Sequence, residues 1–198
     1  MKRIGLTGGI AAGKSTVAHR WSREPGTAII ETDLLAHEAY RPGTPTYAAV
    51  RKAFGDGIVK PDQTLDRRKL GEMVFADEQK RMLLNQIVHP AVREMWSARL
   101  DDLDRAGRTE MAVVVIPLLF EVGAEEQFEA VVAVGCSEQT QFARLKAKGL
   151  TAEQARARIR AQLPMAVKLD RADYAIWNDG EQGVLEQQAD IIWKKLKE

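Results

Sequence analysis

The stretch from Ile4 to Val17 constrains this chain more than any other. It contains G-x-x-x-x-G-K-S, from Gly8 to Ser15, with a short apolar run before it and a helix-compatible segment after it. A strand, a glycine-rich loop and a helix in that order build a phosphate-binding loop. Gly8 and Gly13 permit a tight turn that points backbone N–H groups at one anion. The helix starting near Lys14 adds the positive partial charge of its N-terminus. In such a loop Lys14 reaches the β- and γ-phosphates and the Ser15 hydroxyl ligates Mg²⁺. The bland alternative is a glycine turn that merely joins a strand to a helix, and the presence of both motif and context argues against it. The motif marks a nucleotide-phosphate site without separating a kinase from a GTPase or a motor.

With 198 residues the chain can form one full α/β core with a small inserted lobe, but not two large domains. A net charge of +1 gives no global basic field for nucleic acid. The single cysteine, Cys136, excludes an internal disulfide framework and a cysteine metal cage, and reads as a small packed residue. No signal peptide is legible at Met1–Gly5, and no stretch approaches the ~18 apolar residues of a membrane span. The expectation is a cytosolic protein with no nucleic-acid or membrane partner, monomeric or weakly homo-oligomeric.

Apolar runs predict strands at Lys2–Thr7, Ala28–Ile30, Met111–Ile116, Ala130–Gly135 and Tyr174–Trp177. Met111–Ile116 is uniformly apolar, as a strand covered on both faces should be. Asp33 lies just past the second strand, at the edge where open parallel sheets gather ligands. Local sequence is equally compatible with Asp33 as a base and as the N-cap of a helix at Leu34–Tyr40, and one residue can do both. Helical patterns at about Arg67–Phe75, Glu78–Val88 and Pro90–Arg105, with Pro90 in a first turn, interrupt the βαβ alternation. They predict an inserted helical lobe. His89 falls at one of its helix junctions and reads more simply as structural than catalytic. His19 and His37 lack the spacing and partners of a metal site. No aspartate ends the third strand. Glu121 is a candidate substitute, although a surface glutamate is the commoner explanation. Ser137 caps a helix at Glu138–Lys148, Gly149 ends it, and Thr151 with Gln154 makes a capping box for the next. Residues 141–171 hold eight Lys/Arg and two Asp/Glu, a local charge of +6 that suggests an anionic ligand. Two basic helices hinged at Gly149 would make a lid. A closing helix at Glu181–Leu196 packs Trp193 and Leu196 into the core.

These residues resemble the dephospho-CoA kinase family along nearly the whole chain. The resemblance rests on L-T-G-G-I-x-x-G-K-S-T-V (Leu6–Val17), D-x-x-A-H-E (Asp33–Glu38), L-N-x-I-V-H-P (Leu84–Pro90), P-L-L-F-E (Pro117–Glu121), A-R-I-x-x-Q (Ala157–Gln162) and A-D-Y-x-I-x-N-x-G (Ala172–Gly180). It implies an α/β, three-layer P-loop NTPase fold with a parallel sheet. The core would take about 1–38, 106–140 and 166–198, a helical acceptor-binding lobe about 39–105, and a helical lid about 141–165. It also implies transfer of the ATP γ-phosphoryl to the ribose 3′-hydroxyl of dephospho-CoA. By this likeness Lys14, Asp33 and Arg144 are catalytic, with Asp33 the base. Gly9, Ile10, Ala11, Ala12, Gly13, Lys14, Ser15, Thr16, Lys148 and Asn178 hold ATP, and Ser15 holds Mg²⁺. Thr7, Asp33, His89, Pro117, Leu118, Leu119 and Glu121 border the acceptor.

The chain departs from the family pattern at several positions. Ala11 and Ala12 replace a usual Gly-Ser, which is tolerable unless positive φ is needed. Glu31 and Thr32 stand for Asp-Ala, and Lys148 for a lid arginine, losing the planar fork. Rival readings are another small-molecule kinase, a nucleotide switch and an RNA-binding P-loop protein. The switch expects N-K-x-D, which is absent, or D-x-x-G, which occurs only at Asp104–Gly107, at the end of a predicted helix. The RNA reading expects aromatic stacking residues within 141–171, where only Phe142 occurs.

Overall fold

The computed structural model describes all 198 residues. Five strands form one sheet in the order β2-β3-β1-β4-β5: β1 (Lys2–Gly8), β2 (Thr27–Glu31), β3 (Met111–Val115), β4 (Ala130–Gly135) and β5 (Tyr174–Trp177). β1 runs parallel to β3 and β4, and β4 parallel to β5, with Leu6 opposite Val115 and Val132. The loop-bearing strand is therefore central, covered on both faces, which is why it and its neighbours read as unbroken apolar runs.

The chain divides into two compact units, Met1–Ile30 with Leu100–Glu198, and Glu31–Arg99. In the first, alternate residues of the sheet (Ile4 and Leu6, Val113 and Val115, Val132 and Val134) share a core with α1 (Lys14–Trp21) and α9 (Gln182–Lys197). Trp21 and Trp193 meet with ring centroids 5.5 Å apart, and the Trp21 indole N–H donates to the Ala189 carbonyl. Such a pair adds roughly 0.5–1.5 kcal/mol beyond its area. Cys136 belongs to this core, where burial pushes its thiol up. On the other face Gly5 is needed because a Cβ there would stand 2.7 Å from Leu119. The short α8 (Met165–Arg171) packs against β1 and β4. It lies just past Pro164, which stands at its N-cap position.

The second unit carries α2 (Thr32–Ala39), α3 (Pro45–Phe54), α4 (Arg67–Ala76) and most of α5 (Glu78–Ala106). Thr44 and Asp66 cap α3 and α4, accepting from the Tyr47 and Lys69 amides. Two expected helices prove to be one. Pro90 lies inside α5, not at a start, and His89 is therefore within a helix, not at a junction. The buried stripe Val88, Val92 and Trp96 continues at helical spacing past Pro90, so packing holds the helix across the one amide that proline lacks. Arg99 pairs with both oxygens of Glu38, at 2.8 and 3.0 Å.

Candidate active site

β1 delivers the chain to Gly8, whose φ of 137° and whose approach to the Val134 carbonyl leave no room for a Cβ. At Gly13 (φ 109°), the N-cap of α1, a Cβ would lie 2.4 Å from the Asn178 amide nitrogen. Between them Ala11 adopts φ 58°. Its left-handed backbone is the condition under which alanine is strained, at a cost of roughly 1–2 kcal/mol.

Each of five consecutive loop carbonyls accepts a hydrogen bond from a side chain. The Lys14 ammonium donates to Gly8 (3.1 Å) and Gly9 (2.8 Å), Gln141 to Ile10 (2.9 Å), Arg144 to Ala11 (3.1 Å) and Asn178 to Ala12 (2.7 Å). A peptide's C=O and N–H point in opposite directions, so turning the carbonyls toward these donors turns the following amides away from them. Of the amides so turned, those of Gly9, Ile10 and Ala12 donate to the Val134 carbonyl, the Gln162 side chain and the Gly9 carbonyl, whereas those of Ala11 and Gly13 make no bond within the protein and, with the N-terminus of α1, are available to an anion. Ser15 and Thr16 occupy that first turn; Ser15 is exposed, and no side chain caps the helix.

Arg144 comes from α6 (Glu138–Ala147), whose N-cap Ser137 accepts from the Thr140 amide. Its second guanidinium nitrogen donates to the Asn178 carbonyl at 2.9 Å. Asn178 is itself buried, with its amide on the Gly135 carbonyl, so β4, β5 and α6 are locked to the loop through one residue. Next to it, Asp179 accepts from the Ser137 amide, which holds its carboxyl below the usual range. α6 ends in a Schellman turn: Gly149 (φ 86°) donates to Lys146 and Leu150 to Leu145. Lys148, at the C-cap, is exposed. The predicted capping box opens α7 (Ala152–Arg160), with both reciprocal bonds made.

At least four of the eight cations in the basic segment are used internally. Arg144 serves the loop, Arg156 lies over the Phe142 ring, and Arg171 pairs with Glu125 and lies over Phe120. Lys168 has no exposed surface and pairs with Glu121 at 2.8 Å. Glu121 is thus a buried-pair carboxylate, not the surface glutamate of the simpler reading. Burial pushes the Lys168 ammonium below the ordinary lysine range, and Glu121 opposes that shift. The charge count therefore overstated the positive potential available to a ligand. Gln141 and Lys168 went unrecognised from sequence. Nothing local marks either one, because each looks like a solvated helix residue until its partner is known.

Thr7 is buried, with its hydroxyl donating to the Pro117 carbonyl at 3.4 Å. In the P-L-L-F-E segment Leu119 is wholly buried against Gly5, while Pro117 and Leu118 are half-buried.

In the helical unit Asp33 is exposed in the first turn of α2. It is not the N-cap: Glu31 holds that position without a side-chain bond. Helix formation two residues earlier places Thr32, which is buried, at the first helical position. Asp33 then favours the positive helix end by charge. Its i+4 neighbour His37 is lowered from the ordinary histidine value by burial and by Arg67, against the opposing effect of Asp33. His89 is half-buried in α5.

A family model described as dephospho-CoA kinase matches residues 2–183. The chain is 44% identical over 196 residues to a dephospho-CoA kinase of Symbiobacterium thermophilum, covering 98% of this chain and 81% of that one. Among solved structures, TT1252 from Thermus thermophilus matches with a TM-score of 0.79 and 32% identity, over 98% of this chain and 97% of that chain. The dephospho-CoA kinase from Campylobacter jejuni matches with a TM-score of 0.69 and 26% identity, over 99% and 98%.

Proposed function

The chain belongs to the dephospho-CoA kinase family, and on that premise we propose how its residues divide the work of moving the ATP γ-phosphoryl to the ribose 3′-hydroxyl of dephospho-CoA. The observation that carries the nucleotide side is the run of five side-chain-held carbonyls from Gly8 to Ala12. It supports a loop whose backbone path is set before any ligand arrives, with the exchange of Lys14's partners the rearrangement that binding requires. Gly9 to Thr16 cradle the phosphates. Lys14 exchanges its two carbonyl partners for phosphate oxygens, and Arg144 stands beside Ala11 as a second cation. Lys148, four residues on from Arg144, adds charge from the lid, and Asn178 braces the loop at the Ala12 carbonyl.

Phosphoryl transfer passes through a loose transition state, so catalysis is mostly positioning and charge neutralisation. Asp33 accepts the proton of the 3′-hydroxyl as the new O–P bond forms and the bond to the β-phosphate oxygen breaks, releasing ADP. A positioned base of this kind contributes about 10²–10⁴-fold. Thr7, His89 and the Pro117–Glu121 segment are assigned to the acceptor by the family likeness, Leu119 by supporting that segment from the core.

No cluster of three or more His, Cys, Asp or Glu stands ready to cage a metal. Mg²⁺ suits such a chain, because it keeps several waters and takes its remaining oxygens from phosphates and one or two side chains. Ser15, exposed in the first turn of α1, would be its protein ligand. When bound, the cation neutralises phosphate charge.

The test is ADP release from Mg²⁺-ATP with dephospho-CoA, adenosine or shikimate as acceptor, with the product identified by mass. Release that depends on dephospho-CoA and yields CoA is expected. Release indifferent to the acceptor would remove the acceptor assignment while leaving the nucleotide site intact.

A further inference from the structure

Lys168 is the one lysine with no exposed side-chain surface, and neither nucleotide nor acceptor chemistry as described above uses it. A buried ammonium is costly unless paired and hydrogen-bonded, and here it is both. Its Nζ donates to the Glu121 carboxylate and to the Pro117 carbonyl, each at 2.8 Å. The same Glu121 oxygen, Oε1, accepts the Leu163 backbone N–H at 2.9 Å. The residue before Leu163, Gln162, turns its side-chain oxygen to the Ile10 backbone N–H of the phosphate loop at 2.8 Å. The Ile10 carbonyl is held in turn by Gln141. The series closes on itself: Thr7, three residues before Ile10, donates to the Pro117 carbonyl that Lys168 also holds.

We propose that Lys168 is a positioning residue for ATP binding, acting through Glu121 and the Leu163 amide to keep Gln162 on Ile10 and so hold the first half of the phosphate loop. Lys168 touches neither nucleotide nor acceptor. It fixes one carboxylate oxygen, which fixes the turn after α7, which fixes the Ile10 amide of a peptide whose Gly9 carbonyl loses one of its two partners when Lys14 turns to the phosphates. The basis is electrostatic as well as geometric. A carboxylate with a buried cation on the same oxygen is confined to one rotamer, and a hydrogen bond to a charged group resists displacement more than a neutral one. The inference deepens the proposed function at its nucleotide site and rests on that part of the reading only.

The experiment is equilibrium binding of ATP, without acceptor, to Lys168→Met, Gln162→Leu and the double variant, with a thermal melt of each. Gln162→Leu removes a neutral hydrogen bond and is expected to weaken ATP about fivefold with little change in melting. Lys168→Met is expected to weaken ATP by the same factor, about fivefold, and to lower the melting midpoint. The double variant should bind no worse than Lys168→Met alone, because the series is already broken. Losses that multiply in the double variant, or an ATP affinity unmoved by Lys168→Met, would overturn the proposal, since a lysine that only supports packing has no reason to be coupled to Gln162. If Lys168→Met leaves Glu121 unpaired and does not fold, Lys168→Met with Glu121→Met removes both charges and is read against Gln162→Leu in the same way. ATP binding does not depend on what the acceptor is. An error in the acceptor assignment would therefore appear in the ADP-release assay and leave this result untouched.

Discussion

The phosphate loop and the first turn of α2 are built on opposite plans. Five loop carbonyls are tied by four side chains drawn from α1, α6 and the segment after β5. Asp33, by contrast, is exposed on a short helix whose N-cap makes no side-chain bond. The loop must present several weak donors in one fixed geometry, and a peptide left to rotate would lose that geometry, so its order is fixed by tertiary contacts. A base needs one carboxylate oxygen within reach of the proton it accepts, which an exposed helix turn supplies without further support. The loop is held by tertiary contacts, and the proposed proton acceptor is not.

The largest effect that would test this contrast is on turnover. Asp33→Asn is expected to lower kcat by about 10²–10⁴-fold while leaving ATP affinity and the thermal midpoint nearly unchanged, because the side chain is exposed. Unchanged turnover would take the base role from Asp33, and a loss of ATP affinity would break the separation of the two regions. Next comes the loop itself. Asn178→Ala leaves the Ala12 carbonyl without its donor in a buried position. It is expected to cost about 1–3 kcal/mol in chemical denaturation and to weaken ATP about tenfold. An ATP affinity equal to the parent's would mean that holding the carbonyls does not prepare the loop.

The smallest effect lies in the helical unit. Burial pushes the Tyr40 phenol up to about 12, with Arg67 opposing. The folded state therefore keeps this proton where the unfolded chain has lost it. The contribution is fully present below the ordinary phenol pKa of about 10 and is lost as pH rises toward 12, to at most roughly 2–3 kcal/mol. Denaturation midpoints of Tyr40→Phe and the parent should converge in pH dependence below 10 and separate above it. Parallel curves throughout would show that Tyr40 ionises as freely in the folded unit as in the unfolded chain.

All five strands were legible because each is an apolar run ended by glycine or a polar turn, and such runs need no knowledge of their neighbours. Helix starts were legible where a cap is written locally, as at Ser137 and Thr151. Pro90 misled because its local cost is real, whereas the buried stripe that outweighs it is a tertiary quantity. Asp33 misled as a cap because α2 begins two residues earlier, with Thr32 buried. The stretch 141–171 misled as a positive patch because charges can be counted in sequence but their partners cannot. Glu121, Glu125 and the Phe142 ring, which consume three of its cations, are recognisable as partners only in space.

By itself the sequence determined the phosphate loop, the central strand that carries it, the order of strands and helices, and the set of motifs that places the chain among dephospho-CoA kinases. These rest on spacing, and spacing is a local property. The tertiary structure decided which donors hold each loop carbonyl, that Ala11 is left-handed, that α5 runs through Pro90, and that Lys168 is buried against Glu121. Arg144 reaches Ala11 across 133 residues, Asn178 reaches Ala12 across 166, and Lys168 reaches Pro117 across 51. A polar side chain carries several possible donors and acceptors, and only the packed sheet, by bringing distant segments to one edge, selects the partner that each one meets.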